Sequence, residues 1–211
     1  AALASGAAMA QAWPTKPIRL VVPFNAGGAT DIIARTVGEA LSKRIGQPGV
    51  VDNKGGAAGI LGTDAVAKAP ADGHTLLLIS NGTAVSAGIF KSLPFDTLKD
   101  FAPVSTLASF DIAVVAPADS RFKTLAELVA FAKANPGKLN IGSSGVGTSL
   151  HMTGELLKQA AGIDLTHVPF RGAGPMLQDL IAGRVEVGVD NLPSVIGHLR
   201  DGRLRPLAVT T

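Results

Sequence analysis

The residues best suited to chemistry lie in small glycine-rich loops, not in pairs of acids or sets of metal ligands. Phe24-Asn25-Ala26-Gly27-Gly28-Ala29-Thr30-Asp31 follows the apolar run Ile18 to Val22 and its stop at Pro23. Paired glycines leave room for another molecule to approach the backbone. Thr30 or Asp31 can cap the helix that follows. A helix N-terminus entered from such a loop is a ready anion site, because free amides and the helix dipole point outward. Gly142 to Ser149 has a similar build, small residues and hydroxyls leading into an apolar-periodic helix.

Sharper chemistries fit less well. Asp52 imitates the ribose-binding acid of a dinucleotide fold, but Gly27-Gly28 has no later glycine before Gly38, so G-x-G-x-x-G is not met. No Gly-Lys-Ser/Thr follows, which excludes a P-loop. Ser144 would be the nucleophile of a hydrolase elbow only with glycines at 142 and 146. Val146 takes the second place, and His151 stands awkwardly along the next helix for a base. Asp31 either contacts a ligand or favours the helix N-terminus and pairs with Arg35. Arg171 either clamps a carboxylate or is a solvated loop arginine. His151 is either a hydrogen-bonded first-turn residue or a ligand contact. The four histidines are far apart and there is no cysteine, which argues against a metal site and rules out disulfides.

The elements that position these loops alternate. Ile18 to Val22 reads as a strand covered on both faces, and Ile33, Val37, Leu41 and Ile45 mark one face of the next helix, with Arg35, Glu39 and Lys43 on another. A strand at Val50 to Asn53, a helix from about Ile60 to Ala69 and a strand at Thr75 to Ile79 complete a βαβαβ pattern with parallel pairing. Ser80-Asn81-Gly82-Thr83 reads as one more small polar loop. Lys91 to Phe101 breaks the rhythm, and the extended stretch Val104 to Ala116 reads as a crossover between lobes. Beyond it, Thr124 and Glu127 form a capping box for a helix to Ala134. Strands at 139–141, 166–168, 185–189 and 207–209 then alternate with helices at 150–161, 176–182 and about 193–200.

The 211 residues suffice for one large or two small domains, and 46% hydrophobic against 17% charged content describes a packed globular chain. The net charge of +3, with no basic cluster interleaved with aromatics, argues against nucleic-acid binding. Residues 1–10, AALASGAAMA, read as a signal-peptide remnant ending in an A-x-A cleavage pattern, which implies a periplasmic protein. No later apolar run is long enough to span a bilayer. The chain stops on an apolar strand, which suggests a C-terminal truncation.

Several motifs together resemble the Bug-type substrate-binding proteins of tripartite tricarboxylate transporters. They are Trp13-Pro14-Thr15-Lys16-Pro17 running on to Phe24, Gly27-Gly28 with Asp31, Asp72-Gly73 with Leu76-Leu77-Leu78, and Asp100-Phe101-Ala102-Pro103-Val104. Gly142-Ser143 to His151, Val168-Pro169-Phe170-Arg171-Gly172 and Leu207-Ala208-Val209-Thr210 continue it, so the likeness runs from Trp13 to Thr211. The resemblance implies an α/β, two-lobed periplasmic binding protein (Venus-flytrap) fold of parallel-type sheets with flanking helices. Residues 11–105 would be lobe 1, incomplete at its C-terminal part, 106–205 lobe 2, and 206–211 a return strand toward lobe 1.

It also implies a receptor without cofactor that closes on a small carboxylate, a di- or tricarboxylate, acidic amino acid or aromatic acid. The carboxylate would be held by loop amides, hydroxyls and ordered water. The receptor would serve the membrane components of such a transporter or a sensor kinase. The ligand-binding set expected from the two loops and their neighbours is Phe24, Asn25, Gly27, Gly28, Thr30 and Asp31, with Asn81 and Thr83. Gly145, Thr148, Ser149, His151, Arg171 and Asp190 face them from the second lobe. Phe170 and His74 stand where family members often carry tyrosine, and Asn25-Ala26 is a less usual lead into the glycine pair.

Overall fold

The computed structural model describes residues 13–210, so the expected signal remnant at 1–10 lies outside the described residues. The chain forms two sheets. In the first, β1 (Ile18–Val22) lies between β2 (Gly49–Asn53) and β3 (Thr75–Leu77), parallel to both, with Leu20 opposite Val51 and Leu76. Such a central strand is covered on both faces, which is why it reads as an unbroken apolar run. Ile18, Leu20 and Val22 are buried with Ala34 and Leu78, and Phe24, Ile33, Leu41 and Ile45 pack around them. The second sheet has the order β6-β5-β7-β4-β8, built from β4 (Ile112–Pro117), β5 (Asn140–Ser143), β6 (Thr166–Pro169), β7 (Val187–Asn191) and β8 (Leu204–Val209).

Its two faces carry separate cores, set by the period-2 alternation of strand side chains. Val114, Ile141, Val187 and Val189 face α4 (Leu125–Ala134) and α5 (Ser149–Ala161). Ala113 and Val115 face α6 (Ala173–Ile181) and α7 (Leu192–Arg200).

The parallel alternation expected throughout holds in the first sheet but not in the second. β5 is parallel to β6 and β7, whereas β4 is antiparallel to β7 and β8. The cause is the direction of entry. Ile112, the first residue of β4, pairs with Asn191, the last of β7, so β4 starts at the end where its neighbour finishes. Residues 101–111, which deliver it there, are without regular structure, and the later part of the extended stretch expected from Val104 to Ala116 forms β4 from Ile112. β8 runs as one strand along the edge of this sheet and is not divided at residue 205.

Two local expectations change. The first helix, α1 (Ala29–Ile45), is capped by Gly28 rather than by Thr30 or Asp31, and no side chain bonds its first turn from the cap position. Asn81 is not in a loop: it opens α3 (Asn81–Ile89), for which Ser80 is the N-cap. That helix is rich in alanine, glycine and serine and has no charged residue, so it lacks the polar stripe that would mark it in sequence. The capping box of α4 does form, with Thr124 Oγ1 accepting from Glu127 N at 3.2 Å, while the Glu127 carboxylate reaches Lys123 N at 2.6 Å. A 3-10 turn, Ala57–Gly59, precedes α2 (Ile60–Ala67). Among the described residues no helix is long and apolar enough to cross a membrane.

Candidate functional site

The cleft between the sheets is built by helix N-termini. Gly28, Ala29 and Thr30 at the start of α1 line it together with Ser80, Asn81 and Gly82 at the start of α3. From the other lobe come Thr148 and Ser149 at the start of α5, Ala173 at the start of α6 and Asn191, the N-cap of α7. Five helices thus aim their positive ends at one space. The N-caps of α1, α3 and α6 make no side-chain capping bond, which leaves first-turn donors for another acceptor, whereas at α7 Leu192 N already donates to Asp111 O and Pro193 has no N–H. Phe24, Asn25, Asp31, Phe110 and Ser144 complete the lining, and the empty space, open solvent included, is about 520 Å³.

The lobes meet closely at this point. Ser149 Oγ donates to Asn81 Oδ1 at 3.1 Å, joining α5 to α3. Gly28 and Ala173 lie so near that a Cβ on the glycine would stand 3.2 Å from that of the alanine.

Asp31 turns out to be scaffolding as well as lining. Its carboxylate accepts from Gly27 N at 3.0 Å, from Arg35 Nε at 3.1 Å and from Asn53 Nδ2 at 3.0 Å, and Asn53 also donates to Phe24 O. Burial raises its pKa, but the bonds from Arg35, Gly27 and Asn53 and the Arg35 charge outweigh this and hold it below the usual carboxylate value. Both alternatives for Asp31 therefore meet in one residue: it pairs with Arg35, and it faces the cleft.

The structure brings eight of the expected residues to this cleft: Phe24, Asn25, Gly28, Thr30, Asp31, Asn81, Thr148 and Ser149. Gly145 and Arg171 instead line an adjoining chamber, which shares Phe24 and Ser144 with it. Four expected residues line neither. Gly27 has φ +92°, which a glycine adopts freely, and its amide is taken by Asp31. Thr83 is buried within α3 because its position falls on the inner face of a helix that sequence reading took for a loop.

His151 packs on His167, ring centroids 4.1 Å apart, and its Nδ1 accepts from Gly147 N at 3.3 Å. Asp190 is fully buried in β7, one residue short of the cleft, because strand alternation turns it to the opposite face from Asn191. Thr148 lines the cleft, but its hydroxyl is committed to donating to Gly145 O at 2.8 Å and accepting from His151 N at 3.2 Å. Ala29, Ser80, Gly82, Phe110, Ser144, Ala173 and Asn191 line the cleft outside the expected ligand-binding set. Ser80 carried a signal, as a serine before a run that proves helical.

Among the described residues, Ser144 and His151 do not meet as a nucleophile and its base. Ser144 Oγ has Thr148 Oγ1 as its hydrogen-bond partner at 3.5 Å, and the His151 ring is engaged elsewhere. The serine that does meet a histidine is Ser143, 2.7 Å from His167 Nε2, and it is buried beneath the loop. Burial, then the neighbouring His151, push the His167 pKa down to about 4, and burial lowers that of His151 too. Burial pushes Asp190 up to about 7 against a 2.7 Å bond from Asn191 N and the Ser194 hydroxyl. Among the described residues no cluster of three or more histidine, aspartate or glutamate side chains is placed to hold a metal.

The profile described as tripartite tricarboxylate transporter family receptor, TctC, matches residues 33–211. Protein BugT of Bordetella pertussis is 38% identical over 202 residues, covering 95% of this chain and 62% of that relative. A solved R. palustris protein with adipate is 38% identical with a TM-score of 0.91, over 94% of this chain and 67% of that one. The periplasmic binding protein BugD is 31% identical with a TM-score of 0.90, again over 94% and 67%. The chain spans 58% to 64% of the length of the curated relatives that it matches nearly end to end. Its α/β architecture is that of the periplasmic binding proteins, and the chain belongs to the tripartite tricarboxylate transporter receptor family, with Bug-type proteins among its relatives.

Proposed function

We propose that this chain is the ligand-binding part of a periplasmic receptor that captures a small carboxylate and delivers it to the membrane components of a tripartite tricarboxylate transporter. The observation that carries the reading is the convergence of five helix N-termini on a cleft whose lining includes no lysine, arginine or histidine. The one charged lining residue, Asp31, is already matched by Arg35. An anion here is held by amides and hydroxyls.

The magnitudes are adequate. A hydrogen bond to a charged group contributes about 1.5–3 kcal/mol, and each helix N-terminus adds about 0.3–1 kcal/mol. Four or five such bonds, less the cost of association, reach the ~8 kcal/mol of a micromolar complex. The similar R. palustris protein solved with adipate supports a carboxylate as the ligand class. The A-x-A pattern in residues 8–10 supports export.

The test is calorimetry and thermal shift of the purified chain against di- and tricarboxylates, acidic amino acids and aromatic acids. At least one carboxylate is expected to raise the melting temperature. Gly28→Val, which crowds Ala173 and the amides of α1, is expected to weaken its binding at least tenfold, about 1.4 kcal/mol. Unchanged affinity in a folded Gly28→Val protein would move the site elsewhere. A panel with no binder would overturn the function.

A further inference from the structure

The adjoining chamber is unlike the cleft that it opens beside. Its empty space, open solvent included, is about 730 Å³, and three phenylalanine side chains from separate parts of the chain, Phe24, Phe90 and Phe170, line it with Pro169. Arg171 is the one charged residue of its lining. It is exposed and has no ion-pair partner among the described residues. The floor is strained: Ala57 and Ala58, both lining residues, hold φ of 46° and 55°, a region that side-chain-bearing residues rarely adopt. Such strain collects where a wall is shaped for a ligand.

Phe90 also reaches across the lobes. A Cβ on Gly147 would stand 2.9 Å from its ring, so the loop that feeds α5 packs directly on this aromatic wall. Phe24 and Ser144 line both spaces, so the chamber adjoins the cleft and lies within reach of a molecule whose carboxylate is held there.

We propose that the chamber is the specificity-determining half of the site and accepts the ring of an aryl carboxylate, with Arg171 meeting a second anionic group on that ring. The proposal rests on the carboxylate reading above. Aromatic walls favour an aryl body through offset and edge-to-face contact, beyond what burial of an alkyl chain supplies. A short hydroxy-dicarboxylate leaves the three phenylalanines uncovered. A guanidinium suits a second carboxylate, which it can bind through two parallel hydrogen bonds.

The experiment is calorimetry of the purified chain with succinate, adipate, benzoate and terephthalate. Terephthalate is expected to bind at least tenfold more tightly than succinate and more tightly than adipate, with benzoate between. Phe90→Ala should erase most of the preference for the two aryl ligands over succinate, with a melting curve taken to establish that the variant is folded. Arg171→Gln, at an exposed position that does not threaten folding, should weaken terephthalate severalfold and leave benzoate unchanged. Equal affinity for succinate and terephthalate, tighter binding of adipate than of terephthalate, or indifference to Arg171→Gln would overturn the chamber assignment while leaving a carboxylate receptor in place. If none of the four binds, nor any other carboxylate, both readings fall together.

Discussion

Asp190 is the residue whose chemistry is furthest from its sequence appearance. Read in order, Asp190-Asn191 ends a strand just where a ligand would meet it, yet only the asparagine lines the cleft. The aspartate is buried beside Ser194, whose hydroxyl and the Asn191 amide oppose the larger effect of burial on its pKa. Burial raises its pKa from 3.8 to about 7, so the folded state prefers the protonated acid. Stability from this group is complete below pH 3.8, declines as pH rises through about 7 and is level above that. Asp190→Asn keeps the shape without the charge. It is expected to melt higher than the parent at pH 8, with the difference shrinking as pH falls to 4. A difference independent of pH, in melts recorded across that range, would show that the Asp190 carboxyl titrates alike in the folded and unfolded chain and that burial does not raise its pKa. His151 and His167 illustrate the same limit from the other side. Sixteen positions separate them by number, and only the pairing of β5 with β6 brings their rings into a stack.

At the scale of elements, the cleft depends on how closely helices approach strands. α1 lies on β2 through two glycines: a Cβ on Gly49 would stand 2.7 Å from Gly38 O and 2.9 Å from its Cα. Backbone cannot yield there as a flexible side chain can. Gly49→Ala is therefore expected to cost about 1–3 kcal/mol, read as a lower urea midpoint at unchanged slope. Gly197→Ala is the control. It lies inside α7 with open space around it and should stabilise by about 0.5–1 kcal/mol. A neutral Gly49→Ala would mean that α1 can slide on its sheet, and the position of Gly28 in the cleft would then be loosely determined. The helix faces themselves were legible. Ile33, Leu41 and Ile45 pack on the first core as their spacing foretold, but the closest contact runs through Ala34 and Gly38, which carry no hydrophobic signal strong enough to notice.

For the whole molecule, the connection from 98 to 111 leaves large apolar side chains in water, with Leu98 89% and Val104 84% exposed and Leu107 also exposed. Ile79, just past β3, an edge strand among the described residues, is exposed as well. An apolar strip beside an open strand edge favours association. The 211-residue chain is expected to shift from monomer toward dimer as concentration rises, measured by light scattering after size exclusion. A monodisperse monomer at all concentrations would show that the strip is too dispersed to pair.

The alternation of strand and helix, the two lobes and the glycine loops that feed α1 and α5 followed from the sequence, because hydrophobic period and turn residues are local signals that neighbours along the chain carry by themselves. The direction of β4, the helical state of Asn81 to Ile89, the convergence of α6 and α7 on the cleft and the separation of Arg171 from it did not. The helix at 81–89 lacks a polar stripe, and the others depend on which strand lies beside which. That order is set by packing between residues tens to nearly a hundred positions apart, such as Ile112 against Asn191 and against Thr210. Loop chemistry was therefore written in the sequence, whereas the cleft as a meeting of five helix ends exists only once both sheets have formed.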